Sequence, residues 1–200
     1  FYHLYNVDRV EVLKGPAAFL YGGNPLSGVV NLTRKQPVFK NFSSIAGSFG
    51  RFQSYRGSLD LGLANPKAGT AFRLNAFFQD SDHYRDEKKN SSVGINPGFT
   101  WRIGRHSSLG FNFEFARNEF RSDSGLPLID NKIPDVPRTR SYQTPFDISN
   151  QKIYRFRIDF RSRIRESLSI RNKLYCTDFD WLSRGTLLNG SIPKGGRSVD

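Results

Sequence analysis

The sequence has no methionine, one cysteine and three histidines in 200 residues. A lone cysteine excludes an intrachain disulfide. Cys176 falls on the apolar parity of its segment, which suits a small packed side chain better than a nucleophile, which needs a base and an electropositive pocket. His3, His83 and His106 are too dispersed for metal-ligand spacing. No serine or cysteine sits in a nucleophile elbow. The acid pairs Asp80/Asp82 and Asp86/Glu87 lie in a charged, solvated stretch. An enzyme is therefore not expected, and nothing calls for a covalently bound cofactor. No apolar run reaches about 18 residues, which excludes a membrane helix but not spanning strands, whose signal is weaker. No leader opens the sequence, and it stops mid-pattern at Val199-Asp200. We expect an internal piece of a longer chain.

What is present is aromatic and basic. There are 18 Phe, 8 Tyr and 2 Trp, although hydrophobic residues make up only 37%. That combination is odd for a soluble core and suits strands with one face in lipid and the other in water. The net charge is +12, which calls for an anionic partner: nucleic acid, an anionic ligand or lipopolysaccharide phosphates.

Alternation of period two then runs through the chain. A short first strand is expected at 41–49. In 53–63, Tyr55, Leu59, Leu61 and Leu63 oppose Arg56, Ser58 and Asp60. In 70–80, Phe72, Leu74, Ala76 and Phe78 oppose Arg73, Asn75 and Gln79, with Phe77 an exception on the polar side. In 92–103, Val93, Ile95, Phe99 and Trp101 share a face, and Pro97 predicts a bulge or irregular pairing. Leu109, Phe111, Phe113 and Phe115 form an aromatic row. The clearest strand is 151–164, where Tyr154, Phe156, Ile158 and Phe160 oppose Arg155, Arg157, Asp159, Arg161 and Arg163. A helix would scatter these charges; a strand segregates them. A last strand begins at Leu168. Connections alternate short and long, with 122–150 very long, as in barrels with short periplasmic turns and longer outer loops.

The basic stripe of Arg155, Arg157, Arg161 and Arg163 has three readings. It draws anionic ligands into a lumen, it is a wet face neutralised by acids elsewhere, or it binds phosphates as a nucleic-acid β-ribbon would. Aromatic rows on successive strands need lipid or a large core to cover them, which counts against nucleic acid.

Residues 7–37, VDRVEVLKGPAAFLYGGNPLSGVVNLTRKQP, organise the rest. Val10 and Val12 alternate with Arg9 and Glu11, Lys14-Gly15-Pro16 breaks the strand, and a second strand follows Gly28. Gly23 and Gly28 have the spacing of a phosphate loop, but Val29-Val30 stand where Lys and Ser or Thr are required. Arg9 to Pro16, Leu20-Tyr21-Gly22, Pro25, Gly28 to Asn31 and Lys35-Gln36-Pro37 together resemble the end of the plug domain of TonB-dependent outer-membrane receptors, most of all their siderophore-receptor branch. Leu26-Ser27 departs from the family, which commonly has a glycine beside Gly28.

The resemblance implies an all-β fold. Residues 1–37 would be the C-terminal part of a luminal plug, and 38–200 the first strands, about seven, of an antiparallel transmembrane β-barrel of 22 strands. It implies TonB-dependent uptake of a ferric siderophore across the bacterial outer membrane. The partners would be the TonB complex, outer-membrane lipid and lipopolysaccharide, and not nucleic acid. Cobalamin or a glycan is an alternative ligand, and a soluble basic β-sheet binding module an alternative class. In the family, basic plug residues near Lys14-Gly15-Pro16 contact acidic barrel residues; this carries over to Lys14, with Arg9 and Glu11 as neighbours that read equally as solvating an edge. Gly15, Pro16, Gly22 and Gly28 would form the plug turn.

Overall fold

The computed structural model describes residues 3–15, 28–123, 125–126, 132–144 and 146–186. Among these residues there is no helix. Strands β1 (Val7–Lys14) and β2 (Gly28–Arg34) pair as an antiparallel hairpin. Strands β3 (Phe42–Gly50), β4 (Ser54–Asn65), β5 (Thr70–Asp82), β6 (Lys89–Ile103), β7 (Ser107–Phe120), β8 (Ile148–Arg165) and β9 (Leu168–Arg184) form a second sheet, ordered β3-β4-β5-β6-β7-β8-β9. Every neighbour in it is antiparallel and consecutive. This is the up-and-down order that alternating short and long connections demand.

The strands lengthen along the chain, from 9 residues in β3 to 18 in β8. A tilted strand of about 9–11 residues crosses a bilayer, so β8 and β9 have residues to spare. The expected loop at 81–90 shrinks to 83–88, because strands β5 and β6 reach Asp82 and Lys89, which pair with each other.

Burial is inverted relative to a soluble domain. The large side chains that are almost fully enclosed are Asn6, Asn75, Asn96 and Asn118. Phe78, Val93, Ile95, Trp101, Phe111, Phe113, Tyr154 and Phe156 are exposed. Water would not permit such a continuous apolar surface on a monomer. Apart from Asn6, which precedes β1, the two sets are the two parities of the same strands, in unbroken register: Phe111 lies opposite Ile158 and Phe113 opposite Phe156. Cys176 keeps the outer parity, opposite Phe156, but it is exposed rather than packed as expected, because the outer row has no protein layer over it.

Pro97 does not bulge its strand. Ile95 pairs with Phe115 and Gly98 with Asn112, so the register is the same on both sides of the gap. Proline removes the N–H that would reach the Phe113 carbonyl. The Asn96 side-chain amide donates to that carbonyl instead, while the Asn112 amide approaches the Pro97 carbonyl at 3.5 Å. The irregularity is repaired by two asparagines on the inner face.

Candidate functional site

The inner face of the seven-stranded sheet is covered by residues 3–6 and 34–37, which flank the hairpin. Two ionic clusters tie this cover to the wall. In the first, the Asp60 carboxylate accepts a two-pronged contact from Arg73 of β5, at 2.8 and 2.8 Å, and a bond from Lys35 Nζ at 2.9 Å. Lys35 also donates to the Tyr5 carbonyl at 3.0 Å, and Arg73 to the Gln36 carbonyl at 2.9 Å. In the second, Glu114 of β7 pairs with Arg34 at 2.9 Å and with Arg155 of β8 at 3.2 Å. The Glu114 side chain is only 7% exposed. A carboxylate so enclosed needs partners, and here it has one cation from the cover and one from the wall. Arg157 completes the set by donating to the Gln36 side-chain oxygen at 2.9 Å.

Above these clusters lies an aromatic contact. Phe77, the exception to the polar parity of β5, is 3% exposed. His3 and Tyr5 stack on it with ring centroids 4.4 and 4.5 Å away, and the Arg56 guanidinium lies 5.6 Å from its centroid. Gly94 on β6 leaves the space: a Cβ there would come 2.5 Å from the Phe77 ring. His3 Nε2 also bonds the Asn118 side-chain oxygen at 2.9 Å. Burial lowers the His3 imidazole below its ordinary pKa; the Asn118 bond raises it, and nearby Arg56 lowers it further. Tyr5 Oη, the Asn6 amide and Asn75 Oδ1 have no protein partner among the described residues. The seam joins two polar surfaces; it is not a dry core.

The residues singled out from the sequence divide. Arg9 and Glu11 pair with each other at 3.0 Å, and Glu11 accepts from its register partner Asn31 at 2.7 Å; both brace the hairpin, and among the described residues neither bonds to the wall. Lys14 closes the hairpin opposite Gly28 and makes no ion pair among the described residues. The ion pairs from cover to wall are made by Arg34 and Lys35 instead. Gly15 has a positive φ of 79°, as a turn requires. At Gly28 a Cβ would meet the Leu13 carbonyl at 2.6 Å. Pro16 and Gly22 lie outside the described residues. In the basic stripe, Arg155 and Arg157 engage Glu114 and Gln36, Arg161 bonds Asp159 at 3.1 Å, and Arg163 is exposed.

Sequence reasoning missed Asp60 and Glu114 as partners. Each is visible in the sequence as a lone carboxylate on an inner parity.

At the end of the longer connections, Asp123 pairs with Lys88 at 3.0 Å and Arg85 at 3.4 Å. Burial raises the Asp123 carboxyl, but the Gly125 N–H and these two cations outweigh it and hold the group below its ordinary range. The contacts fasten the 83–88 connection to the start of the 121–147 connection.

No protein-family model matches the chain. It is 34% identical over 142 residues to the metal-pseudopaline receptor CntO of Pseudomonas aeruginosa, covering 70% of this chain and 20% of that protein. It is 32% identical over 128 residues to the catecholate siderophore receptor Fiu of Escherichia coli K12, covering 62% and 16%. The chain thus spans about a fifth of the length of the curated relatives it matches. The crystal structure of the ferric-catecholate import receptor Fiu, closed form, superposes with a TM-score of 0.85 at 25% identity, over 94% of this chain and 28% of that one. The pyoverdine outer-membrane receptor FpvA of P. aeruginosa, bound to pyoverdine, shares the fold with a TM-score of 0.87 at 20% identity, over 97% and 29%. These relatives are receptors, not enzymes. With its outward apolar rows, its covered polar interior and this kinship, the chain belongs to the TonB-dependent outer-membrane receptors, in their siderophore-receptor branch.

Proposed function

We propose that this chain is part of a transporter that takes up a ferric siderophore across the outer membrane, driven by TonB. Residues 1–37 then end the plug and 38–200 begin the barrel. The observation that supports this best is the pair of shared-carboxylate clusters. Arg34 and Lys35, beside the hairpin, are bound to Glu114 and Asp60 inside a wall whose outer face is apolar.

Such a hold is reversible. If the plug is drawn away, Asp60 retains Arg73 and Glu114 retains Arg155. No carboxylate is left buried without a cation, which is the costly outcome. Wall arginines therefore lower the barrier to release while the plug cations set the resting position. Arg161 and Arg163, beyond the reach of the cover, remain available to anionic groups. No covalent bond is made or broken in this cycle.

The kinship with a metal-pseudopaline receptor and a catecholate siderophore receptor favours a metal-loaded siderophore over cobalamin or a glycan as cargo. The test is uptake of radiolabelled iron presented on a panel of siderophores. Cells with the intact receptor gene, cells without it and cells lacking TonB are compared. We expect uptake of at least one chelate to need both proteins. Uptake of every chelate unchanged by loss of the receptor would overturn the assignment.

A further inference from the structure

On the inner parity of β8 and β9 the wall continues past Arg157 toward the short turn at 166–167, the periplasmic end of a barrel. Four register pairs face inward there: Arg157 with Tyr175, Asp159 with Lys173, Arg161 with Arg171 and Arg163 with Ser169. These eight positions hold five cations and one carboxylate, an excess of four positive charges. Arg161 directly opposite Arg171 is a repulsive placement. Asp159 bonds both, at 3.1 and 2.8 Å, so the single acid among these positions is already shared. Arg163 and Lys173 make no ion pair among the described residues. Arg161, Arg163, Arg171 and Lys173 are all exposed.

The row adjoins an interface already formed. Arg155, at the next inner position above, shares Glu114 with Arg34, and Arg157 donates to the Gln36 side chain. The described cover ends against Arg157, and the cations run on beyond it along the same face. From Arg157 to Arg163 is six residues, about 20 Å of strand. That is too long for one small anion, and it matches an extended chain with carboxylates on alternate residues. Guanidinium forks pair well with such carboxylates. Beside a low-dielectric wall this excess charge repels itself continuously. A cargo that comes and goes does not relieve it; a resident anion does.

We infer that this row seats an acidic segment of the plug, with at least two carboxylates within about six residues, from the part of the intact receptor that precedes residue 1. The inference rests on the plug-and-barrel reading and goes beyond it. The chain spans about a fifth of the length of its curated relatives, which leaves room for such a segment. The polarity is the reverse of that at Asp60 and Glu114, where the wall supplies the acids and residues 34–35 the cations. Two attachments of opposite polarity fix one seating, because a displaced plug would set its cations against arginines.

The test uses the intact receptor, purified in detergent and treated with a carbodiimide. The reagent joins a lysine amine to a touching carboxylate as an amide and leaves as its urea. Peptide mass spectrometry should find Lys173 joined to an Asp or Glu of the plug ahead of residue 1, and Lys173→Arg should remove that link. The double variant Arg161→Gln/Arg163→Gln should quicken hydrogen exchange of the linked segment about three- to tenfold, as expected for two partly exposed pairs. Arg117→Gln, on the outer parity of β7, should leave it unchanged. A Lys173 link that is absent, or that reaches only its register partner Asp159, would overturn the inference, as would unchanged exchange in the double variant. If no plug link forms and added ferric citrate shields Lys173 from acetylation, the row belongs to anionic cargo and the inference fails. Heat-modifiable gel migration reports separately whether the barrel is intact, and iron uptake whether it transports. Should the double variant not form a barrel, the Lys173 link in the unaltered receptor decides alone.

Discussion

The inner faces of β4–β7 and of β8–β9 are built on the same alternation and end in different states. On β4–β7, the enclosed carboxylates are paired: Asp60 and Glu114 each hold two cations, and the Asn96 amide repairs a gap in the ladder. On β8–β9, below Arg157, the same parity carries Arg161, Arg163 and Arg171, all exposed. The difference is the cover. Where residues 3–6 and 34–37 lie against the wall, burial requires that the charged groups be paired, as Asp60 and Glu114 are. Where they do not, solvent carries the charge and the row stays open to external anions.

The sharpest way to break this contrast is to remove a shared carboxylate. Glu114→Ala leaves Arg34 and Arg155 without their common partner in a nearly enclosed site, and should cost about 3–5 kcal/mol of cover-to-wall attachment. Removing exposed Arg161 should cost less than about 1 kcal/mol. Hydrogen exchange of residues 28–37 in the intact receptor measures both: protection should fall strongly in the first variant and hold in the second.

The two faces of one strand should differ nearly as much. Phe156→Arg places a charge on the lipid row and should destabilise insertion by about 2–4 kcal/mol near the midplane. Arg157→Ser loses one bond to Gln36 and should cost about 1 kcal/mol or less. Folding titrations into lipid vesicles separate them.

A smaller effect tests the repaired ladder. Asn96→Ala removes the donor to the Phe113 carbonyl and should cost about 1–3 kcal/mol. Adding Pro97→Ala restores a backbone N–H at that carbonyl and should recover part of the loss. Denaturant unfolding of the single and double variants checks the sign of the coupling.

The smallest effect is a pH dependence. The His3 imidazole is lowered by burial against Phe77, so the folded contact binds fewer protons than the free chain. Its stabilisation is full above the ordinary histidine pKa of about 6.5 and declines as pH falls through the lowered folded value. Exchange of residues 3–6 should quicken between pH 7.5 and 5 beyond the intrinsic rate change, and His3→Gln should remove the extra change.

The sequence disclosed the strands because alternation is local: the separation of Phe156 from Arg157 needs only neighbours. Family and fold were legible for the same reason, since the 7–37 motif is contiguous. The seam was not. Lys35 reaches Asp60 across 25 residues and Arg157 reaches Gln36 across 121, and no spacing rule links them. Lys14 stood out beside a turn, yet Arg34 and Lys35, at the end of β2 and just after it, are the cations that meet the wall. Phe77 broke parity in plain view; its reason, a stack under His3 and Tyr5, exists only once the cover is in place. Pro97 signalled an irregularity, but the asparagines that absorb it looked like ordinary inner-face residues.

The central claim is that one parity faces lipid and the other a covered, polar interior. Cys176 and Tyr175 test it with the least disturbance, because they are adjacent at the middle of β9 and Cys176 is the only cysteine here. A nitroxide on Cys176, and another on Tyr175→Cys in a Cys176→Ser background, are compared in the membrane-inserted intact receptor for collision with oxygen and with a water-soluble nickel chelate. The account predicts that the label at 176 collides with oxygen and is shielded from the chelate, and that the label at 175 shows the reverse; a water-exposed 176 with a lipid-exposed 175 would contradict it.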